Sequence, residues 1–185
     1  MRWRPQLNEA PAGALKTLNL QELAAGMPGL TPAGGRLLLE AAMVCLESCG
    51  HSSGVTLVAA PKNLSLEWAP IDDRIRRAYA DMQESVEWGA CGAAILVLRE
   101  ATSFVVVERA VKGLGVDYWI GLANDDMLFQ RKARLEVSGI LRGTEQQIAA
   151  RMRAKTEQTR RSDALGPAFV AVIEFGRPLA WLDRR

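Results

Sequence analysis

Two carboxylates stand in segments where apolar residues predominate. Asp117 falls within the run 115–121, and Glu136 falls within the run 133–139. Both runs are short and rich in β-branched, aliphatic or aromatic residues, which predicts strands. An ionised carboxylate inside a sheet is costly unless it is paired, hydrogen-bonded or bound to a cation. The two residues therefore need either a functional or a structural explanation.

A divalent cation is the functional explanation. Two carboxylates on adjacent strands can hold one Mg²⁺ or Mn²⁺ through oxygen atoms while leaving positions for water and for a phosphate oxygen. This is the chemistry of phosphodiester hydrolysis. The structural explanation is an ion pair at the margin of the sheet with Arg109, Lys132 or Arg134. The sequence leaves both explanations open for Asp117 and Glu136.

Other kinds of catalytic site have few residues to draw on. The chain has one histidine, His51, so a Ser-His-Asp triad or a multi-histidine zinc site would have to be built around that residue. The three cysteines, Cys45, Cys49 and Cys91, have apolar neighbours and are expected to be buried thiols. The glycine motif at 112–115 is too short for a nucleotide-binding loop and predicts a tight turn.

The hydrophobic pattern predicts the elements that position these residues. Thr31 precedes a proline at the first helical position, and Thr144 begins a capping-box sequence, so a helix is expected after each. The broken stretch 1–29 predicts an arm with one short helix at 18–25. The remaining elements follow from apolar spacing. In chain order they are a helix from Thr31 to Cys49, a hairpin with strands 54–58 and 64–68, a helix from Asp72 to about Leu98, strands at 104–108, 116–122 and 133–140, a helix from Thr144 to about Arg160, and a strand from Ala168 to Phe175.

This order resembles the core of the PD-(D/E)XK nuclease superfamily, the restriction-endonuclease-like fold. The resemblance covers residues 72–175 and consists of helix, strand, strand with Asp117, strand with Glu136, helix and strand. It implies an α/β fold with a mixed central sheet flanked by helices. It also implies that Asp117 and Glu136 are catalytic metal ligands, with Mg²⁺ or Mn²⁺ as cofactor, and that Glu87 on the first core helix completes the metal site.

One position departs from the family pattern. The lysine expected two residues after the third-strand acid is Ser138 in this chain. The superfamily tolerates migration of that lysine to a neighbouring helix, which makes Lys155 the matching catalytic candidate, with Gln158 on the same helix face. The resemblance then implies a deoxyribonuclease in which Lys155 orients water or stabilises charge on the phosphate. If catalysis is lost with the lysine, it implies a nuclease-fold module that binds nucleic acid or a protein partner.

Two regions of the chain are expected. Residues 1–71 are predicted to form an arm, a helix and a β-hairpin packed on the core, and residues 72–185 the nuclease-like α/β core. Neither the first helix nor the hairpin has enough apolar surface to fold alone. We therefore expect one folded unit.

Local charge favours an anionic partner. The segment 131–161 has nine basic residues and three acidic ones, a balance of +6. Arg151, Arg153 and Gln158 on the predicted helix are expected to contact nucleic acid, with DNA as the partner. The alternative is an arginine-rich helix that is solvated and binds nothing.

Composition adds limits of another kind. The chain has 185 residues, 49% of them hydrophobic, with 23 basic and 21 acidic side chains. No run of about 18 apolar residues is present, so a cytoplasmic protein without a membrane partner is expected. Five tryptophans and the proline-interrupted arm raise a further alternative, an accessory subunit that forms an oligomer, with Trp3, Trp68 and Trp181 at the interface.

Overall fold

The structure is a computed structural model that describes residues 15–123 and 130–185. Within them lie eight strands, four α-helices and two 3₁₀ segments. The strands are β1 (Lys16–Asn19), β2 (Val55–Ala59), β3 (Lys62–Glu67), β4 (Phe104–Arg109), β5 (Tyr118–Leu122), β6 (Ala133–Ile140), β7 (Ala168–Glu174) and β8 (Leu179–Arg184). The α-helices are α1 (Pro32–Ser48), α2 (Asp73–Ala78), α3 (Met82–Thr102) and α4 (Glu145–Thr159), and the 3₁₀ segments are Leu20–Ala25 and Arg160–Leu165.

The strands form one mixed sheet in the order β1-β3-β2-β8-β7-β6-β5-β4. Three pairs are parallel, namely β1 with β3, β2 with β8 and β6 with β7. The predicted α/β class is therefore confirmed. The strand that follows Asp117 and the strand that carries Glu136 are antiparallel neighbours, with Tyr118 opposite Leu135. The expectation that these two segments are adjacent in one mixed sheet is confirmed.

The helices cover both faces of the sheet. Because side chains alternate along a strand, Ala171 of β7 packs in the main core with α1 and α3, whereas its neighbours Val170 and Val172 pack on Ile148 of α4. Glycine permits the close crossing of α1 and α3, since a Cβ on Gly89 would lie 2.9 Å from the backbone of Ala42.

The long helix predicted from Asp72 to Leu98 is wrong, since the structure has two helices there. Asp72 caps α2 by accepting a hydrogen bond from the amide of Ile75. Asp81 then caps α3 by accepting from the amides of Gln83 and Glu84. A second aspartate N-cap with non-helical backbone ends one helix and starts another, and α3 continues beyond the predicted end.

Two strands were not predicted, and both extend the sheet. The short helix expected at 18–25 is a 3₁₀ segment preceded by β1, which pairs with β3. Residues 1–14 of the predicted arm lie outside the described residues. β8 pairs with β7 and, through Val58 and Leu179, with β2, so it joins the hairpin to the central strands. The division at residue 71 stays a prediction, which limited proteolysis can test.

No helix of the described ranges has the length and apolar character needed to cross a bilayer.

Arg134 is a buried cation on β6 that holds the chain after α4 in place. Its side chain is 1% exposed, and its guanidinium donates to the carbonyl oxygens of Thr159 and Gly166, each at 3.1 Å. It also donates to the hydroxyl of Ser162. Such a group is tolerated in the interior because its donors are satisfied.

We expect Arg134→Met to lower the free energy of unfolding by about 3 kcal/mol, because it leaves buried acceptors without a donor. The matched control is Arg131→Met. Arg131 forms an exposed pair with Glu108, and such pairs contribute under about 1 kcal/mol. Urea unfolding measures both. Equal losses would show that the buried hydrogen bonds of Arg134 carry no special weight.

Candidate active site

A cleft of about 1180 Å³ lies beside the carboxyl-terminal half of β6. Its walls are the first turns of α1, the first half of α3, the loop between β4 and β5, and one side of α4. Both charged and apolar side chains line it. Asp117, Glu136, Glu87, Lys155 and Gln158, all singled out from the sequence, line this cleft.

Asp117 is the residue immediately before β5, so the strand begins two residues later than predicted. Its amide donates to the carbonyl of Leu135 at 2.8 Å, which ties it to β6. Its Oδ2 accepts a hydrogen bond from the amide of Val137 at 2.9 Å. The other oxygen, Oδ1, lies 3.7 Å from the Arg109 guanidinium. Backbone hydrogen bonds therefore hold the Asp117 carboxylate beside Glu136, and Oδ1 of Asp117 faces the Arg109 guanidinium.

Glu136 is almost completely buried, with 3% of its side chain exposed. Its Oε1 accepts hydrogen bonds from Lys155 Nζ at 2.6 Å and from Gln158 Nε2 at 2.9 Å. Neither bond engages Oε2. Lys155 also donates to Gln158 Oε1 at 3.2 Å. The lysine on α4 thus reaches back to the third-strand acid, and Gln158 shares its helix face.

Burial and, secondly, the nearby negative charge of Asp117 raise the pKa of Glu136 to about 7. The hydrogen bond and charge of Lys155 act in the opposite direction but do not cancel these effects. The positive charge of Lys155 therefore does not balance the two negative charges of Asp117 and Glu136. A divalent cation beside it would supply that charge.

The residues of the cleft fit a divalent cation that is coordinated mostly by water molecules and phosphate oxygens. Within ranges 15–123 and 130–185, no group of three or more His, Cys, Asp or Glu residues is arranged to hold a metal. Glu87, which the resemblance implied would complete the metal site, lines the cleft but is exposed and belongs to no such group. Asp117 and Glu136 remain as the residues that would hold a cation. Mg²⁺ is commonly held by one or two carboxylates together with substrate phosphate, so the pair suffices.

Ser138 stands on β6 where the family has lysine, and the structure gives it a different partner. It is 7% exposed and accepts a hydrogen bond from Arg151 at 3.3 Å. Arg151 therefore lies along the cleft. Arg153, also expected to contact nucleic acid, is exposed on α4 and does not line the cleft.

Two cations of the cleft were missed as binding residues. Arg109 appeared in the sequence only as an ion-pair partner, and Lys112 only within a turn, yet both line the cleft. The Arg109 guanidinium lies 4.5 Å from the centre of the Tyr118 ring, a cation–π contact that orients it. The sequence feature that could have indicated them is the glycine turn at 112–115. Gly115 has φ of +72° and lies so close to α4 that a Cβ would be 2.5 Å from the Gln158 carbonyl. That approach places the β4–β5 loop over the site.

Few of the nine basic residues in 131–161 line the cleft. Arg131 pairs with Glu108, and Arg134 is buried beside the end of α4. Only Arg151 and Lys155 of the nine basic residues line the cleft. The ion-pair explanation for Asp117 holds in a weak form, through Arg109 at 3.7 Å, whereas Arg134 has its nearest carboxylate in Asp163.

The remaining candidates have structural roles. His51 Nε2 lies 3.0 and 3.1 Å from the carbonyl oxygens of Phe175 and Gly176. Cys45 and Cys91 are buried free thiols as expected, whereas Cys49 is half-buried. Of the tryptophans named for an interface, Trp68 is 6% exposed and belongs to the main core. Trp181 packs beside α4, and Trp3 lies outside the described residues.

Comparison of the chain with family models, with curated proteins and with solved structures gives no match.

Proposed function

We propose that this protein is a metal-dependent phosphodiester hydrolase of the PD-(D/E)XK type that acts on DNA. The proposal includes a restriction-endonuclease-like core made of α3, β4, β5, β6, α4 and β7. In favour of it, these elements follow one another in the family's order, and β6 is parallel to β7 while β4, β5 and β6 are antiparallel.

One observation carries the proposal. Asp117, immediately before β5, and Glu136, on the neighbouring β6, line the same cleft, and Lys155 Nζ lies 2.6 Å from Glu136 Oε1. A buried acid with a raised pKa, a second acid and a lysine in one cleft are the kind of cluster found at catalytic sites. The lysine comes from α4, which compensates for Ser138.

The residues of the cleft have separate proposed roles. Asp117 and Glu136 would hold Mg²⁺ or Mn²⁺, which supplies Lewis-acid polarisation of the phosphate and activation of water. Lys155 has three N–H donors, and two of them are engaged with Glu136 and Gln158. The third is available to a water molecule or a phosphate oxygen at the site. Arg109, Lys112 and Arg151 would bind the phosphates on either side.

A second candidate function is a nuclease-fold module that binds nucleic acid or a protein partner without cutting. The observation in its favour is that Ser138 replaces the family's lysine and is occupied by Arg151. The two functions share the cleft and differ in chemistry, so turnover separates them.

The deciding experiment is cleavage of single-stranded DNA, duplex DNA and RNA by the purified chain, with Mg²⁺, with Mn²⁺ and with a chelator. We expect cutting only when a divalent cation is present. Absence of cutting under all conditions, with binding that weakens steeply as salt increases, would establish the binding module instead. Absence of both would exclude nucleic acid as the ligand.

Arg109 provides a test of phosphate binding. We expect Arg109→Gln to weaken DNA binding and to reduce the slope of log affinity against log salt by about 1, the value for one lost phosphate contact. Arg131→Gln is the matched control, because Arg131 also lies over an aromatic ring, that of Trp119, but outside the cleft. Fluorescence anisotropy at several salt concentrations measures both. An unchanged slope in Arg109→Gln would contradict the assignment.

A further inference from the structure

The cleft extends beyond the carboxylates to an apolar end. This end is formed by the first turns of α1 and α3 together with the end of β6, and its apolar residues are Leu37, Met82, Val86, Trp88 and Ile140, with Gln83 and Glu87 of α3 also lining it. Leu37, Met82 and Trp88 are only partly buried, so apolar surface remains accessible beside a strongly charged site. Nothing in the proposed hydrolysis of a phosphodiester uses this end.

Trp88 is held in a fixed orientation there. Its ring meets the Tyr79 ring edge to face, with centroids 6.3 Å apart and an interplanar angle of 87°. Edge-to-face pairs are favourable and restrict both rings. A partly exposed indole that is already ordered loses little conformational freedom when a flat ligand stacks on it.

The depth of the site limits the shape of the ligand. Glu136 has 3% of its side chain exposed and lies in a recess of about 1180 Å³, close to the range of small-molecule pockets, about 300–1,000 Å³. A phosphate that reaches this carboxylate has to enter the recess together with its neighbouring groups. An unpaired nucleotide is small and flexible enough to do so, whereas a stacked duplex keeps its bases paired and its backbone on the outside.

We propose that the apolar end receives an unpaired nucleobase, stacked on or against Trp88, while the charged end binds the adjoining phosphate. The inference rests on the proposed function and specifies its substrate class as single-stranded nucleic acid or an unpaired strand end. Charge complementarity selects this ligand: Arg109, Lys112, Arg151 and Lys155 surround the charged end. A nucleotide is a ligand in which an anionic group and a flat apolar ring are joined by a short linker.

The test compares two fluorescent strands of equal length and equal phosphate number, one of thymidylates and one of abasic sugars, with Ca²⁺ in place of Mg²⁺ to prevent turnover. The protein is expected to bind the thymidylate strand about tenfold more tightly, within the range for base stacking on an aromatic side chain. A matching duplex is expected to bind more weakly than the thymidylate strand.

Three variants test whether the apolar end causes the difference in affinity between the two strands. Trp88→Leu is expected to bind both strands with the affinity of the abasic one, and Trp88→Phe to keep most of the preference. Leu37→Asp provides a second route that leaves the tryptophan in place, because its charge opposes an apolar ring, and should remove the preference too. Circular dichroism confirms that each variant is folded.

The failures are distinguishable. Equal binding of both strands by the unmodified protein, or equal weakening of both by Trp88→Leu, overturns the nucleobase site. If divalent-dependent cleavage is nevertheless observed, the proposed hydrolase activity is retained and only the nucleobase site is rejected. Failure to bind any strand overturns the hydrolase and the nucleobase site together, whereas a preference for the thymidylate strand without cleavage overturns the hydrolase and leaves the nucleobase site in a binding module.

Discussion

Asp117→Asn and Glu136→Gln are each expected to reduce divalent-dependent cleavage by at least about a thousandfold, because each removes one of two negative charges that would hold the cation. The substitutions keep the local hydrogen bonds. An asparagine oxygen can still accept from the amide of Val137, and a glutamine oxygen can still accept from Lys155 and Gln158. Initial rates on labelled DNA, at saturating Mg²⁺, measure the effect.

Two further variants make this result specific. Glu108→Gln removes a carboxylate that pairs with Arg131 and does not line the cleft, so its cleavage rate should equal that of the unmodified protein. Lys155→Ala is expected to slow cleavage by about a hundredfold while Mn²⁺ binding persists, since its proposed role is toward water or phosphate. Loss of Mn²⁺ binding in that variant would contradict the role. Undiminished cleavage in Asp117→Asn would eliminate the metal-site proposal.

Glu136→Gln is also expected to stabilise the metal-free protein at alkaline pH. Burial and the charge of Asp117 hold the folded-state pKa of Glu136 at about 7, against about 4.3 in an unfolded chain. Between these values the folded protein binds the proton more strongly, so the contribution of Glu136 to stability is complete below the unfolded pKa and is lost as pH rises through 7. Glutamine removes this loss, which we put on the order of 4 kcal/mol at pH 8.

Denaturant unfolding at pH 5 and pH 8, in a chelator, measures the stabilisation. The variant should be more stable than the unmodified protein at pH 8, with a smaller difference at pH 5. Adding Mg²⁺ at pH 8 should then raise the stability of the unmodified protein but not that of Glu136→Gln, because a ligand stabilises only the form that binds it. A variant that is less stable at pH 8 would mean that Lys155 over-compensates the buried charge.

Much of the central sheet was predictable because its signals are local. The apolar run 133–140 coincides with β6, and the capping box at Thr144 coincides with the start of α4. Strands that follow one another in the chain usually pair in the sheet, which favoured placing Asp117 beside Glu136. Lys155 was proposed from the resemblance, which allows the lysine to lie on the next helix, and the structure places its ammonium at Glu136.

The tertiary structure decided what depends on contacts between distant segments. β1 is a four-residue strand defined by a partner far away in the chain, so no local pattern distinguishes it from a loop. β8 forms a hairpin with the preceding β7 and has one pair with the distant β2, and it is this last pair that only the tertiary structure decided. The break between α2 and α3 depended on which of two aspartate caps prevailed.

The sequence by itself determined which residue types were available for chemistry: the acid of β6, an acid at the start of β5, a helix lysine and no second histidine. Which of the basic residues serve the site was decided by folding. Arg134 and Glu136 share one face of β6 because strand side chains alternate, yet Arg134 lies against the end of α4 and Glu136 in the cleft. Arg109 joins the site because a glycine turn lies against α4. The charge around a site depends on long-range packing, and net charge along the chain does not record it.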